Sequence, residues 1–125
     1  MTQLSNGKTY DLEERTAQFG EMIIRLCRTV KQDIISRPLI DQIVRSATSI
    51  GANYMEANGA SSKKDFRNKI FICKKESQET KHWLRMLASA VPERKEELQK
   101  AWKEGQELTL IFQKIGSSLN TTNLQ

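Results

Sequence analysis

The chain has 125 residues, with 20 Lys and Arg against 15 Asp and Glu, a net charge of +5. That length fits one domain, whose folding removes roughly two-thirds of the unfolded chain's surface from water. With 6 Gly and 2 Pro it is neither collagen-like nor low-complexity, and no apolar run approaches the ~20 residues of a transmembrane helix.

Residues 1–10 are polar and lack the apolar segment of an export signal, so they read as a polar leader and the chain as cytoplasmic. A first helix is expected from Asp11, with Asp11 as N-cap and Glu14 completing a capping box. Leu12, Phe19, Ile23, Leu26 and Val30, with Cys27 beside them, form its apolar stripe. The helix is expected to stop by Asp33, after Arg28 and Lys31 at its negative end.

Ser36 is the expected N-cap of a second helix over residues 38–57, with Pro38 in its first turn, where a missing N–H costs nothing. Leu39, Ile43, Ala47, Ile50 and Tyr54, flanked by Ile40, Val44, Gly51 and Met55, span a wide apolar arc. A second arc holds Arg45, Ser49, Asn53 and Glu56 as a polar stripe. Arg45 and Glu56 stand about 16 Å apart along the axis, so each needs a partner on another helix or subunit.

Asn58-Gly59-Ala60-Ser61 breaks the chain. Ser62 then caps a third helix, expected over residues 63–90. Phe66, Ile70, Cys73, Ser77, Thr80, Leu84, Leu87 and Val91 make a heptad-like seam. Ser77 and Thr80 keep its middle small and polar, which allows close helix approach. Phe71, Ile72 and Trp83 lie off the seam and call for a second covering surface, as does Trp102; they are the expected oligomer interface. Pro92 separates a fourth helix, residues 93–115, with Leu98, Ala101, Gly105, Leu108, Phe112 and Ile115 at core spacing. Gly116-Ser117-Ser118 should end it. The pattern is all-α: an antiparallel up-down-up-down four-helix bundle over residues 11–116, with a flexible tail over 117–125.

His82 is the single histidine and the cysteines are Cys27 and Cys73. No nucleophile elbow, zinc helix or Gly-rich phosphate loop accompanies them, so neither enzyme, metal nor cofactor is expected. The cysteines fall on apolar stripes and are expected as buried, reduced thiols.

Charge is concentrated in one segment. Residues 1–60 and 91–125 are each balanced, whereas residues 61–90 hold eight basic and three acidic residues. Lys63, Lys64, Arg67, Lys74, Lys75, Lys81 and Arg85 avoid the seam and are the candidate contacts to RNA or DNA phosphates. Such contact is salt-sensitive and does not read bases.

The stretch from Arg45 to Glu56 resembles the signature R-x-A-x-S-I-x-x-N-x-x-E of the four-helix-bundle proteins encoded in intervening sequences of bacterial large-subunit (23S) ribosomal RNA genes. Ser62-Lys63-Lys64-Asp65-Phe66 matches that family's S-K-K-[DE]-F, and Glu76, Glu79, Trp83 and Leu84 match its E-x-x-E-x-x-x-W/Q-L. Ala57 departs from it, where Gly usually follows the Glu. The resemblance, over residues 10–115, implies a homopentameric ring without established enzymatic activity. It also implies a fold shared with the accessory proteins of diversity-generating retroelements, which bind nucleic acid and partner a reverse transcriptase. The expected function is therefore a non-enzymatic homo-oligomeric bundle binding RNA or DNA. The alternative is a protein-interaction adaptor, such as an accessory subunit of a retroelement reverse transcriptase.

Overall fold

The computed structural model describes the backbone of residues 2–3 and 9–124 and the side chains of residues 11–119. Four helices carry the fold: α1 (Leu12–Arg28), α2 (Ser36–Asn58), α3 (Lys63–Ala90) and α4 (Lys95–Leu124). Part of the polar leader lies outside the described residues. Its Thr2–Gln3 (β1) and Thr9–Tyr10 (β2) pair as a two-residue antiparallel ladder, which the sequence pattern did not signal.

Contacts between helices fix their directions. Asn58 near the end of α2 donates to Glu13 near the start of α1, while Gly20 further along α1 approaches Thr48 further back in α2. Glu56 meets Lys69 and Arg45 meets Glu79, so α3 runs back along α2. Lys81 reaches Gln106. Arg15 pairs with Glu104, and Arg94 reaches the Thr29 carbonyl, which closes α4 against α1. Neighbours run in opposite senses throughout, the up-down-up-down bundle expected from four amphipathic stripes and short connections.

The core is the set of stripes read from the sequence. Phe19, Ile23, Ile43, Ile50, Ile70, Leu84, Leu87, Leu98, Leu108 and Phe112 are fully buried. Phe112 of α4 reaches Tyr54 of α2, with ring centroids 5.8 Å apart. Leu26, Leu39, Phe66 and Ile115, expected in the core, pack against its edge instead. Leu26, Leu39 and Phe66 stand within four residues of a helix end, where fewer side chains pack around them. Small polar residues occupy the α2–α3 contact: Ser46, Ser77 and Thr80 are buried, and the Thr80 hydroxyl lies 2.8 Å from Ser46 Oγ and 2.8 Å from the Glu76 carbonyl. Gly51 gives α1 its close approach to α2; a Cβ there would sit 3.2 Å from Thr16 Oγ1.

Helix ends show where local chemistry was and was not legible. Asp11 and Ser62 are N-caps, each side chain accepting the N–H three residues on. α1 stops at Arg28, five residues before Asp33, because its end tightens. The Thr29 N–H and hydroxyl both bond the Leu26 carbonyl, at 3.1 and 2.8 Å. Ser36 does not cap α2. Asp33 does so from outside the helix, accepting the Ile35 and Ser36 N–H groups at 2.9 and 2.8 Å. Ser36 is instead buried, donating to the Lys31 carbonyl and accepting from Asp33 N–H. Pro92 opens a 3-10 turn, Pro92–Arg94, before α4. α4 then passes through Gly116-Ser117-Ser118, where an end was expected, and continues to Leu124. A helical glycine costs only about 1 kcal/mol relative to alanine, and Gly116 does not adopt the left-handed backbone that ends a helix.

Candidate functional site

α3 is the helix on which the candidate site rests, and its seam divides its surface into two flanks. At 100° per residue, Lys63, Arg67, Lys74, Lys81 and Arg85 lie within roughly 40° of one another. Contacts of α3 with α4 place this flank beside α4: Ile70, Phe71 and Lys74 share a groove with Phe112 and Gln113. Lys64 and Lys75 lie farther round, facing outward and exposed. Lys69, Glu76 and Glu79 fall across the seam, against α2.

That placement separates the charges of α3 by sign. The Arg45 guanidinium bonds the Glu76 carboxylate at 3.1 Å and contacts the Glu79 carboxylate as well. Glu76 is buried, so its charge requires this partner. Burial acts to raise the pKa of Glu79. The Trp83 indole N–H, the Arg45 charge and hydrogen bonding with Glu76 and Arg45 outweigh it, and the carboxyl lies below its ordinary value. The third acid, Asp65, accepts the Ser61 hydroxyl and the Ser62-capped turn holds it at the helix start. The α4 flank therefore keeps its cations without local carboxylates.

The polar stripe of α2 is a connected structural network. Ser49 Oγ donates to the Arg45 carbonyl at 2.7 Å, and Asn53 Nδ2 donates to the Ser49 carbonyl at 2.8 Å. Glu56 receives Lys69 Nζ at 2.6 Å. Both ends of the stripe thus find their partners on α3, as the 16 Å spacing of about eleven residues requires.

The seven candidate cations are not equivalent. Lys63, Lys64, Lys75 and Arg85 are exposed, and Arg67 and Lys74 are half-buried at the helix contact. Lys81 is committed to the bundle: its stem crosses α4 at Gly105, where a Cβ would meet Lys81 Cγ at 3.2 Å. Its ammonium bonds Gln106 and sits 5.1 Å from the centre of the Trp102 ring. Sequence reading missed Lys95 and Lys103 of α4, which join Arg85 and Trp102 around one open groove of about 990 Å³. Their signal was their position on the α4 face flanking its apolar stripe; the charge balance of residues 91–125 concealed it.

The off-seam apolar residues also divide. Phe71 is 66% exposed and Trp102 37% exposed. Trp83 packs partly against the core and donates its indole N–H to Glu79. Ile72 is half-buried on the same side as Trp83. Phe71 lies beside Arg67 and Lys74 in a smaller groove of about 290 Å³.

His82 is exposed and stacks edgewise on Trp83, with centroids 4.9 Å apart. Burial pushes the Cys27 thiol up to about 11 and the Cys73 thiol up to about 12. Among the described residues no group of three His, Cys, Asp or Glu side chains is arranged to hold a metal ion. Among them, too, no helix is long and apolar enough to cross a membrane.

The sequence profile of the 23S rRNA-intervening sequence protein family matches residues 8–115. No curated protein matches the chain. A crystal structure of a protein of unknown function from the S23 ribosomal protein family of Bacteroides thetaiotaomicron VPI-5482 is similar, with a TM-score of 0.75 and 30% identity, over 85% of this chain and 98% of that one.

Proposed function

The chain belongs to the 23S rRNA-intervening sequence protein family, and from that premise we propose that it is a non-enzymatic, cytoplasmic, homo-oligomeric bundle that binds RNA or DNA through phosphates on α3. The observation that supports this most is the sorting of charge on that helix. Its two central acids are turned to Arg45 on α2, while Lys63, Lys64, Lys75 and Arg85 stay exposed. A cationic surface without local carboxylates attracts a polyanion by releasing its counterions. The pentameric ring implied by the family likeness draws support from Ile72 and Trp83, off-seam apolar residues that the bundle covers only in part.

Two measurements test the reading separately. Light scattering at micromolar concentration is expected to give a multiple of the 14.4 kDa chain mass, and the monomer mass overturns the oligomer. Changing Lys63, Lys64, Lys74 and Lys75 to Glu is expected to abolish nucleic-acid binding at low salt. Unchanged binding removes α3 as the site.

A second reading is a protein-interaction adaptor, such as an accessory subunit of a retroelement reverse transcriptase. It draws on the open groove between α1 and α2, about 460 Å³, where Ile24 and the exposed Met55 stand among Ala17, Gly20 and Ala52. Under this reading the purified chain retains no nucleic acid, and a basic partner protein occupies the groove.

A further inference from the structure

The α3–α4 face carries two open grooves, and the same combination of groups recurs in both. One places Trp102 among Arg85, Lys95 and Lys103; the other places Phe71 among Arg67 and Lys74. Neither groove is lined by an Asp or a Glu. By contrast the groove between α1 and α2 has four carboxylates and no cation. Phosphate contact alone explains the cations but gives no role to two aromatic rings left in water beside them.

From this juxtaposition we infer that the α3–α4 face binds an unpaired nucleic-acid strand, with bases stacked on Trp102 and Phe71 and phosphates on the flanking cations. The inference rests on the nucleic-acid reading above and narrows its ligand to single strands. An exposed aromatic face can accept a base only when that base is not already stacked in a duplex. The indole is held ready for this. Lys81 lies over the ring and is itself bonded to Gln106, so Trp102 is fixed against α3 while 37% exposed. Lys81 marks the level of Trp102 on α3 and lies ten residues beyond Phe71, about 15 Å along the axis, so one strand lying along the helix passes both rings. Stacking tolerates any base, which agrees with the lack of base-reading groups on this face.

The two tryptophans of the chain make the test direct. In a Trp83→Phe variant, Trp102 is the single tryptophan and is excited selectively over the two tyrosines. It is titrated at low salt with a uridine RNA oligomer, a thymidine DNA oligomer and a blunt RNA duplex of equal length. The single strands are expected to quench Trp102 and the duplex is not. By fluorescence anisotropy, Trp102→Leu and Phe71→Leu are each expected to weaken single-strand binding about ten-fold, with the salt slope and duplex binding unchanged. Trp102→Tyr should restore most of the loss, which a merely structural effect would not. Equal affinity for strand and duplex, insensitive to Trp102→Leu, overturns stacking while leaving phosphate binding intact. Binding of neither, before and after charge reversal on α3, overturns the nucleic-acid reading itself. A response to the uridine or the thymidine oligomer alone overturns the claim that stacking and phosphate contact suffice.

Discussion

The outer groove of the α1–α2 hairpin is edged by Asp11, Glu13, Glu14 and Glu21, whereas the grooves of the α3–α4 hairpin gather Arg67, Lys74, Arg85, Lys95 and Lys103. Both hairpins bury comparable stripes against the same core. They differ in where their opposite charges go. Arg45, a cation of α2, is spent on the acids of α3, and Lys69, a cation of α3, on Glu56 of α2. The α2–α3 interface thus consumes charge of both signs, and the groove of one hairpin is left acidic while those of the other are left basic. A net charge of +5 describes neither surface.

Charge reversal is the strongest way to break this comparison. Lys74→Glu, Lys75→Glu and Arg85→Glu together are expected to weaken nucleic-acid binding about a hundred-fold or more at low salt. Glu13→Lys, Glu14→Lys and Glu21→Lys together should leave it unchanged or strengthen it. Anisotropy titrations of the two triples, run side by side, check the contrast. A gain from the acidic triple as large as the loss from the basic one would mean that net charge alone matters.

Removing the sorting residue comes next. Arg45→Ala strands the buried Glu76 carboxylate and is expected to cost about 2 kcal/mol, discounted for the half-exposed guanidinium. Adding Glu76→Gln should recover part of the loss, because the stranded group is then neutral. Urea denaturation of the single and double variants measures this. Recovery that never comes would show that Arg45 matters only through its packing.

Smaller effects are expected at the helix starts, one in each hairpin. Ser62→Ala removes the hydroxyl that accepts the Asp65 N–H and should cost about 1 kcal/mol. At the other start, hydrogen bonds from the Ser36 and Ile35 N–H groups hold the Asp33 carboxyl below its ordinary value. Its folded-state pKa is depressed, so its contribution is fully present above the unfolded value of about 3.9. That contribution is lost as pH falls through the lower folded value. Asp33→Asn keeps a capping oxygen without the titration. Its melting temperature is therefore expected to fall less steeply with acid than that of the parent chain. Parallel slopes would assign the acid sensitivity to other carboxylates.

The helices, their order and most of the core were legible because local periodicity and apolar burial are properties of the sequence itself. Asp11 and Ser62 were legible as caps because each acts three residues away along its own helix. Asp33 was hidden behind Ser36, a better-looking cap whose hydroxyl is drawn into the core turn instead. The end of α4 was misplaced because Gly116 permits a stop without imposing one. The candidate cations of α3 were legible as a charge excess, but Lys95 and Lys103 were not, since they matter only beside Arg85 and Trp102.

What the sequence determined by itself is the all-helical bundle, the polar stripe of α2 and the basic character of α3. These follow from spacing along single helices, where 3.6 residues per turn converts position into direction. Which charges survive on the surface was decided only by tertiary structure. The partner of Arg45 lies 31 residues away at Glu76, and that of Lys81 lies 25 residues away at Gln106. A charge stays available to a ligand only when no packed neighbour neutralises or engages it, and neighbours on other helices exist only once the bundle has formed.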